Sequence, residues 1–193
     1  YCVTATDCAS LVCTGGICQA PSCTDAVQNG DETGVDCGGT TCGPCGGGAE
    51  CETGADCITG NCLAGFCQPC AVNMVRIPWA AGVGSYCIDV RETTQAEYEA
   101  FMVAKGGDTS GQPSYCSFNG SWAPATSWGG CSSSTYTPAT TPDLPVVCVD
   151  WCDAHAYCEW MGKRLCGAPG GGSVTQYDYD EVRYDEWHNA CTS

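Results

Sequence analysis

Cysteine is the residue type with the most evident chemistry in this sequence, since it occurs 21 times in 193 residues. Such a density is typical of proteins that are held together by disulfides in oxidising compartments. Zinc is the alternative, because two Cys-x-x-Cys pairs, beginning at Cys42 and Cys67, have the spacing of metal ligands. The two histidines, His155 and His188, are distant from both pairs in the sequence, so we predict disulfides. The odd total leaves at least one cysteine without a partner in the chain.

A second group of candidate ligands carries oxygen. Its members lie close together in the sequence and are Asn29, Asp31, Glu32 and Asp36. Four such side chains between glycine turns could surround a hard cation such as calcium. Their spacing does not fit an EF-hand loop, and a solvated acidic turn with Asx-type hydrogen bonds explains the same residues. Calcium is therefore a hypothesis, with the acidic turn as its alternative.

No residue is predicted to be catalytic. His155 is expected on the exposed face of a helix and His188 near the end of another, and neither has a serine or thiolate at a suggestive spacing. The acidic run at residues 178–186 is typical of a solvated helix face. Cys42 and Cys45 resemble a redox pair, but they lie in a disulfide-rich loop rather than at the start of a helix.

Two features could belong to a surface that carries or binds glycans. Asn119 begins an Asn-Gly-Ser acceptor sequence for N-glycosylation, with a plain polar loop as the alternative. The six tryptophans exceed what two small cores require. We expect Trp79, Trp122 and Trp128 to contribute to a contact surface for glycan or protein.

An internal repeat organises the N-terminal part of the chain. Four cysteines with spacings of six, five and five recur after 49 residues, as Cys2, Cys8, Cys13, Cys18 and then Cys51, Cys57, Cys62, Cys67. Each copy is too short to bury a stabilising apolar core, so we predict that disulfides hold it. The spacing does not reveal which cysteines pair. We place a cysteine-rich repeat module at residues 1–70 and a second domain at residues 71–193.

The charge balance restricts the partners. The net charge is −16, and residues 1–70 contain no lysine or arginine. Such a surface repels nucleic acid and offers trypsin no cleavage site within the repeat module. No apolar run approaches the roughly 20 residues that span a bilayer. We predict a secreted, extracellular protein that begins after processing, with itself or an extracellular protein or glycan as partner.

Regular elements are expected in the second domain. Strands are predicted at residues 74–78, 86–90 and 144–149. A capping box predicts a helix after Thr94, and Asp150 caps another. A third helix is predicted over residues 179–191. The polar segment at residues 107–142 is expected to be a long loop, stapled by Cys116 and Cys131.

These elements carry motifs in a recognisable order. The motifs are Met74-Val75-x-Ile77-Pro78, Ile88-Asp89-x-x-Glu92-x-Thr94, Pro145-Val146-x-x-Val149-x-Trp151, Gly162-Lys163-Arg164-Leu165 and Glu186-Trp187. Residues 72–192 thereby resemble the formylglycine-generating enzyme, or sulfatase-modifying factor, family. The resemblance implies an α+β fold related to C-type lectins, with long loops. The repeat module resembles cysteine-rich repeats of secreted bacterial proteins.

The sequence departs from the family in ways that bear on function. The family's copper-binding cysteine pair lies in a later half of the domain that cannot be matched here, so the domain is expected to be incomplete. We therefore predict a non-catalytic, disulfide-stabilised extracellular structural or binding protein. Self-assembly into a filament or surface layer is part of this hypothesis. The alternatives are a formylglycine-generating oxidase whose catalytic half is missing, and a carbohydrate-binding module of a secreted enzyme.

Overall fold

The computed structural model describes residues 1–80, 84–127, 129–133 and 135–192. The chain forms two compact units. The first unit consists of Tyr1–Ile77 and Ser85–Asp89, and the second of Pro78–Gly84 and Val90–Ser193. Within the described residues, no helix has the length and apolar character that a bilayer crossing requires.

The first unit contains two small hairpins with the same design. Strands β1 (Cys13–Thr14) and β2 (Ile17–Cys18) pair in antiparallel fashion, as do β3 (Cys62–Leu63) and β4 (Phe66–Cys67). Both turn residues of each hairpin have positive φ, which is the geometry that matches the twist of the strands in two-residue turns. Glycine occupies three of these four positions, and Ala64, at φ +54°, occupies the fourth.

A short 3-10 helix precedes each hairpin, at Ala5–Asp7 and at Gly54–Asp56. The aspartate that ends each helix accepts hydrogen bonds from two backbone N–H groups before the helix: Asp7 from Val3 and Thr4, and Asp56 from Glu52 and Thr53. These bonds lower the pKa of both carboxyl groups. Ionised aspartate therefore stabilises the start of each copy.

Disulfides replace an apolar core in the first unit. The two copies have corresponding pairs, which are Cys2–Cys13 with Cys51–Cys62, and Cys8–Cys18 with Cys57–Cys67. The other disulfides are Cys23–Cys42, Cys37–Cys45 and Cys70–Cys87. The buried cluster of this unit is made of Cys45, Cys51, Cys57 and Cys67. Neither Cys-x-x-Cys pair is bonded internally, which agrees with disulfides rather than zinc or a redox pair.

Strands β5 (Met74–Pro78) and β6 (Ser85–Asp89) form a third two-stranded sheet among the described residues. The strands predicted at residues 74–78 and 86–90 are confirmed, the second with a shift of one residue. The Cys70–Cys87 disulfide joins β6 to the segment before β5.

The helices of the second unit begin where their caps predict. Helix α1 (Gln95–Lys105) has a full capping box between Thr94 and Glu97, and it ends at Gly106 in the left-handed conformation. Helix α2 (Trp151–Trp160) has the same arrangement between Asp150 and Asp153. Both predictions are confirmed, because capping is decided by local residues.

The core of the second unit lies between α1 and α2. Tyr98 and Phe101 of α1 pack against Ala156 and Tyr157 of α2 and against Trp122 from the intervening loop. The Phe101 ring lies 5.5 Å from Trp122 and 5.8 Å from Tyr157, both edge-on. The loop therefore supplies part of the core that it covers.

Two disulfides anchor this loop, although Cys116 and Cys131 are not bonded to each other. Cys116 pairs with Cys152 of α2, and Cys131 pairs with Cys148 just before α2. A 3-10 helix at Ser114–Cys116 leads into the first of these bonds. Both disulfides thus join the loop to α2 or to the residues just before it.

Two predicted elements differ from the structure. The strand predicted at residues 144–149 is wrong: this segment contributes one bridge, between Pro145 and Thr94, and Cys148 has φ +67°, which interrupts an extended strand. The third helix is shorter than predicted, since α3 comprises Glu186–Thr192 and turns precede it. The tyrosines at 177 and 179 are exposed, so they provide no buried face that would extend the helix.

Candidate functional site

Of the four predicted calcium ligands, the three carboxylates of Asp31, Glu32 and Asp36 do not occur together in a group of close metal-ligating atoms among the described residues. Asp31 Oδ2 accepts hydrogen bonds from the backbone N–H and the hydroxyl of Thr40. Asp36 accepts from the backbone N–H groups of Asp25 and Ala26, at 2.9 and 3.0 Å. Glu32 accepts from the N–H of Asn29 at 3.1 Å. Asp31 and Asp36 thus join segments that are nine to eleven residues apart, and only the Glu32 bond lies within a local turn. Calcium binding stays a prediction.

Cysteine sulfurs come close enough to one another to resemble metal sites, but their chemistry is different. Among the described residues, three groups have ligand atoms within 4.8 Å of one another. They are Cys2, Cys8 and Cys18; Cys51, Cys57 and Cys62; and Cys23, Glu32 and Cys42. Every cysteine in these groups belongs to a disulfide. A disulfide sulfur is not the thiolate that binds a metal.

Asn119 is placed unfavourably for the predicted glycosylation. Its residue exposure is 9 %, and its Nδ2 donates to Asp153 Oδ1 at 2.8 Å. Glycosylation modifies this nitrogen, so a glycan would have to displace a buried hydrogen bond. The amide is better explained as a link between the loop and the first turn of α2.

His155 is less exposed than predicted. Its ring stacks on Trp151 with 4.9 Å between the ring centroids, and Nδ1 lies 3.5 Å from Glu159 Oε2. All three residues follow one another at intervals of four on α2. His155 therefore lies within a row of interacting side chains rather than in open solvent.

A cavity of about 170 Å³ opens beside this row, between α2, the end of α1 and the loop at residues 110–113. We call it the α2 cavity. Lys105, Gln112, Trp122, His155, Glu159 and Trp160 contribute to its walls. One cationic and one anionic side chain thus face a space that is otherwise lined by aromatic and uncharged groups.

The walls of the α2 cavity are fixed by interactions within the second unit. Gln112 Nε2 donates to the carbonyl oxygens of Thr109 and Asn119, both at 2.9 Å. The Cys116–Cys152 disulfide ties the same loop to α2. Trp122 is 3 % exposed, and its Nε1 donates to the carbonyl oxygen of Asp108. The cavity is therefore preformed.

An exposed aromatic row leads away from the cavity. The Tyr115 ring lies 5.6 Å from Trp151, which stacks on His155 in the cavity wall. Tyr115 and Trp151 are 60 % and 55 % exposed. Sequence reasoning missed this row, although the spacing of Trp151, His155 and Glu159 on a helix indicates a shared face.

The tryptophans predicted to form a contact surface behave differently. Trp122 is 3 % exposed and packs in the core, although it also contributes to the cavity wall, and Trp79 is half-buried. Trp128 lies outside the described residues. Trp160, which was not predicted, also contributes to the cavity wall: it packs against Phe101 of the core and remains 40 % exposed.

A buried ion pair connects α3 to the segment after α2. Arg164 contacts both carboxylate oxygens of Glu186, and the backbone N–H of Gly167 donates to the same carboxylate. Hydrogen bonding to Glu186 raises the pKa of the Arg164 guanidinium. Asn189, on the next turn of α3, accepts from Ala80 N–H and donates to the carbonyl oxygen of Pro78. This network is structural and lies apart from the residues of the α2 cavity.

Three further cysteines of the second unit differ in their exposure. Cys158 is partly buried and packs against the core of the second unit, whereas Cys166 and Cys191 are exposed. None of the three occurs in a group of close metal-ligating residues in the described part of the chain.

A protein-family model described as "sulfatase-modifying factor enzyme 1-like domain" (FGE-sulfatase) matches residues 77–192. The match includes α1, α2, α3, the α2 cavity and the ion pair. Neither the curated proteins nor the solved structures contain a match to this chain.

Proposed function

The chain belongs to the sulfatase-modifying factor family, and we propose that its family domain is an extracellular, non-catalytic binding module. The repeat module would be a disulfide-held support for it. The α2 cavity carries this proposal, because it is preformed and combines aromatic walls with a few polar groups, as ligand sites do.

The extracellular location is supported by the covalent framework. Nine disulfides join eighteen of the 21 cysteines, and a reducing compartment would not maintain them. The corresponding bonds of the two copies support duplication as the origin of the repeat module. A fold related to C-type lectins remains part of the proposal, since it rests on the family resemblance.

The binding function is tested by ligand screening on the folded chain with its disulfides intact. Soluble extracellular glycans and peptides would be screened by ligand-observed NMR, with Trp160→Ala and Glu159→Ala as cavity variants. We expect ligands whose binding is weakened by both variants. Ligands that bind equally well to the variants would place the binding site elsewhere.

An oxidase that forms formylglycine is the alternative from the same family. Copper(I) prefers thiolate ligands, and the family's copper-binding cysteine pair has no counterpart that the sequence motifs identify in this chain. The oxidase hypothesis therefore rests on the family alone. Incubation with copper, oxygen and a cysteine-containing peptide tests it. An aldehyde product detected with a hydrazine reagent would contradict the non-catalytic proposal.

Self-assembly is a second candidate function, favoured by one observation in the repeat module. Ile17 and Phe66 occupy corresponding positions in the two hairpins and are 63 % and 49 % exposed. Corresponding apolar side chains on both copies could contact a second molecule of this chain. Sedimentation velocity would detect such a complex, and the double variant Ile17→Ser/Phe66→Ser should dissociate it. A monomer at high protein concentration would contradict assembly through this surface.

A further inference from the structure

We propose that the α2 cavity binds one ring of a neutral carbohydrate. This inference rests on the proposed binding function and assigns it a ligand class. The cavity, at about 170 Å³, is smaller than the roughly 300–1,000 Å³ of sites for drug-sized ligands. A single pyranose ring with its hydroxyl groups is a ligand of suitable size.

Aromatic surface supplies the first part of the recognition. The Trp160 ring packs against Phe101 and Tyr157, at 5.8 and 6.2 Å between centroids, and remains 40 % exposed. The core thus holds the indole in place while part of it stays accessible. Trp122 offers only apolar surface, because its N–H already donates to Asp108. Such walls suit the C–H face of a sugar ring, which is apolar.

Charge selects a neutral ligand. Lys105 and Glu159 both line the cavity, so one ammonium and one carboxylate offset each other locally, although the whole chain has a net charge of −16. A cationic ligand would face Lys105, and an anionic one would face Glu159. Hydroxyl groups can satisfy both, since they donate to the carboxylate and accept from the ammonium.

Glu159 is well placed for this task. Its side chain is 61 % exposed, and its Oε2 lies 3.5 Å from His155 Nδ1, beyond a strong hydrogen bond. The carboxylate therefore keeps its capacity to accept hydrogen bonds from ligand hydroxyls. Gln112 has a positioning role: its amide group holds the loop wall through Thr109 and Asn119 and does not need to contact the ligand.

The aromatic row extends the site to a second ring. Because Trp151 stacks on His155 in the cavity wall, an oligosaccharide that leaves the cavity would pass over Trp151 and Tyr115. Both side chains are more than half exposed. We therefore expect neutral disaccharides to bind more tightly than the corresponding monosaccharides.

Isothermal titration calorimetry on the full chain tests the inference. The probes are methyl glycosides of glucose, galactose and mannose and their neutral disaccharides, with glucuronic acid and choline as charged comparators. We expect a neutral probe to bind, and Glu159→Ala to weaken it about tenfold or more, as the loss of a hydrogen bond to a charged group predicts. Trp160→Ala should have an effect of similar size.

Matched controls separate the cavity from general effects. Glu181→Ala and Trp187→Ala remove an exposed glutamate and an exposed tryptophan outside the cavity, and they should leave the affinity within twofold. Because Trp160 contacts the core, Glu159→Ala is the decisive variant if Trp160→Ala fails to fold.

The outcomes distinguish this inference from the proposed function. Binding of a neutral sugar that depends on Glu159 supports both. Choline or glucuronic acid binding in the cavity, with neutral sugars inactive, would overturn the ligand class and leave the binding function intact. No binding by any probe would overturn the inference, and aldehyde formation in the oxidase assay would overturn the proposed function.

Discussion

Arg164 and Glu186 form two parallel hydrogen bonds, Nη1 to Oε2 at 2.5 Å and Nη2 to Oε1 at 2.6 Å. The Glu186 side chain is 2 % exposed and that of Arg164 is 47 % exposed. The carboxylate is therefore buried and depends on a guanidinium that reaches solvent. Both residues belong to motifs by which the sequence resembles its family. Their contact explains why these two residue types occur in those motifs.

Removal of Arg164 should destabilise the second unit strongly. Arg164→Ala leaves a buried carboxylate without its cation, and we expect the free energy of unfolding to fall by about 2–3 kcal/mol. This loss is smaller than that for a fully buried ion pair, because Arg164 is half exposed. Urea unfolding monitored by tryptophan fluorescence measures it. The control is Arg91→Ala, which breaks an ion pair with Glu97 that is 50 % and 39 % exposed. That change should cost about 1 kcal/mol or less. Equal losses in both variants would contradict a special role for Arg164.

Acid should weaken the contribution of Asp31. Its hydrogen bonds with Thr40 lower the pKa of the carboxyl group to about 2. Because the folded-state pKa is below the unfolded value of 3.8, the stabilisation is complete above about pH 4 and is largely lost as the pH falls to about 2. Asp31→Asn should therefore lower the urea midpoint at pH 7 and have little effect at pH 2. A constant difference at both pH values would rule out this linkage.

The two copies of the repeat should respond unequally to loss of corresponding disulfides. Cys57–Cys67 belongs to the buried cluster, at 4 % and 2 % exposure, whereas Cys18 of Cys8–Cys18 is exposed. Removing either bond costs about 2–5 kcal/mol in small secreted domains. We expect the double variant Cys57→Ser/Cys67→Ser to lose unfolding free energy at the upper end of this range. The double variant Cys8→Ser/Cys18→Ser should lose free energy at the lower end. Thermal unfolding of the two variants under non-reducing conditions provides the comparison, and the reverse order would refute it.

The Tyr98 hydroxyl should contribute to the core beyond its ring. It donates to the carbonyl oxygen of Trp122 at 2.8 Å in a buried position, and burial raises the pKa of the phenol. Tyr98→Phe keeps the ring and leaves this carbonyl without the hydroxyl donor, so we expect a loss of about 1–2 kcal/mol. Tyr136→Phe is the matched control, since the Tyr136 hydroxyl donates to Glu99 in a partly buried position. Chemical denaturation measures the free energy of unfolding of both variants. An unchanged value for Tyr98→Phe would show that the hydrogen bond does not stabilise the core.

Local signals in the sequence predicted the helices well. Thr94 with Glu97, and Asp150 with Asp153, specify the starts of α1 and α2 through contacts three residues apart. Residues 144–149 have the apolar pattern of a strand, but the Cys131–Cys148 disulfide and the turn at Cys148 depend on residues far along the chain. Local pattern cannot supply that information.

The candidate site was harder to predict from the sequence, because its residues are also distant from one another along the chain. The α2 cavity unites Lys105, Gln112, Glu159 and Trp160, which come from three separate segments. The loop that carries Gln112 is joined to α2 by the Cys116–Cys152 bond, and cysteine spacing does not reveal such a pairing. By contrast, the oxygen-bearing side chains at residues 29–36 could be predicted as a candidate calcium site, because they lie close together in the sequence.

The anchoring of the loop before α2 has a consequence for how this protein can vary. Cys116 and Cys131 are each bonded to the segment around α2, so the residues between them form a separately tethered arc. The entropic cost of lengthening a closed loop grows only slowly with its length. Insertions in the part of this arc that follows Trp122 should thus be tolerated while the core and the cavity wall keep their positions. The arc is a natural place for lineages to diversify, and for engineers to display foreign peptides.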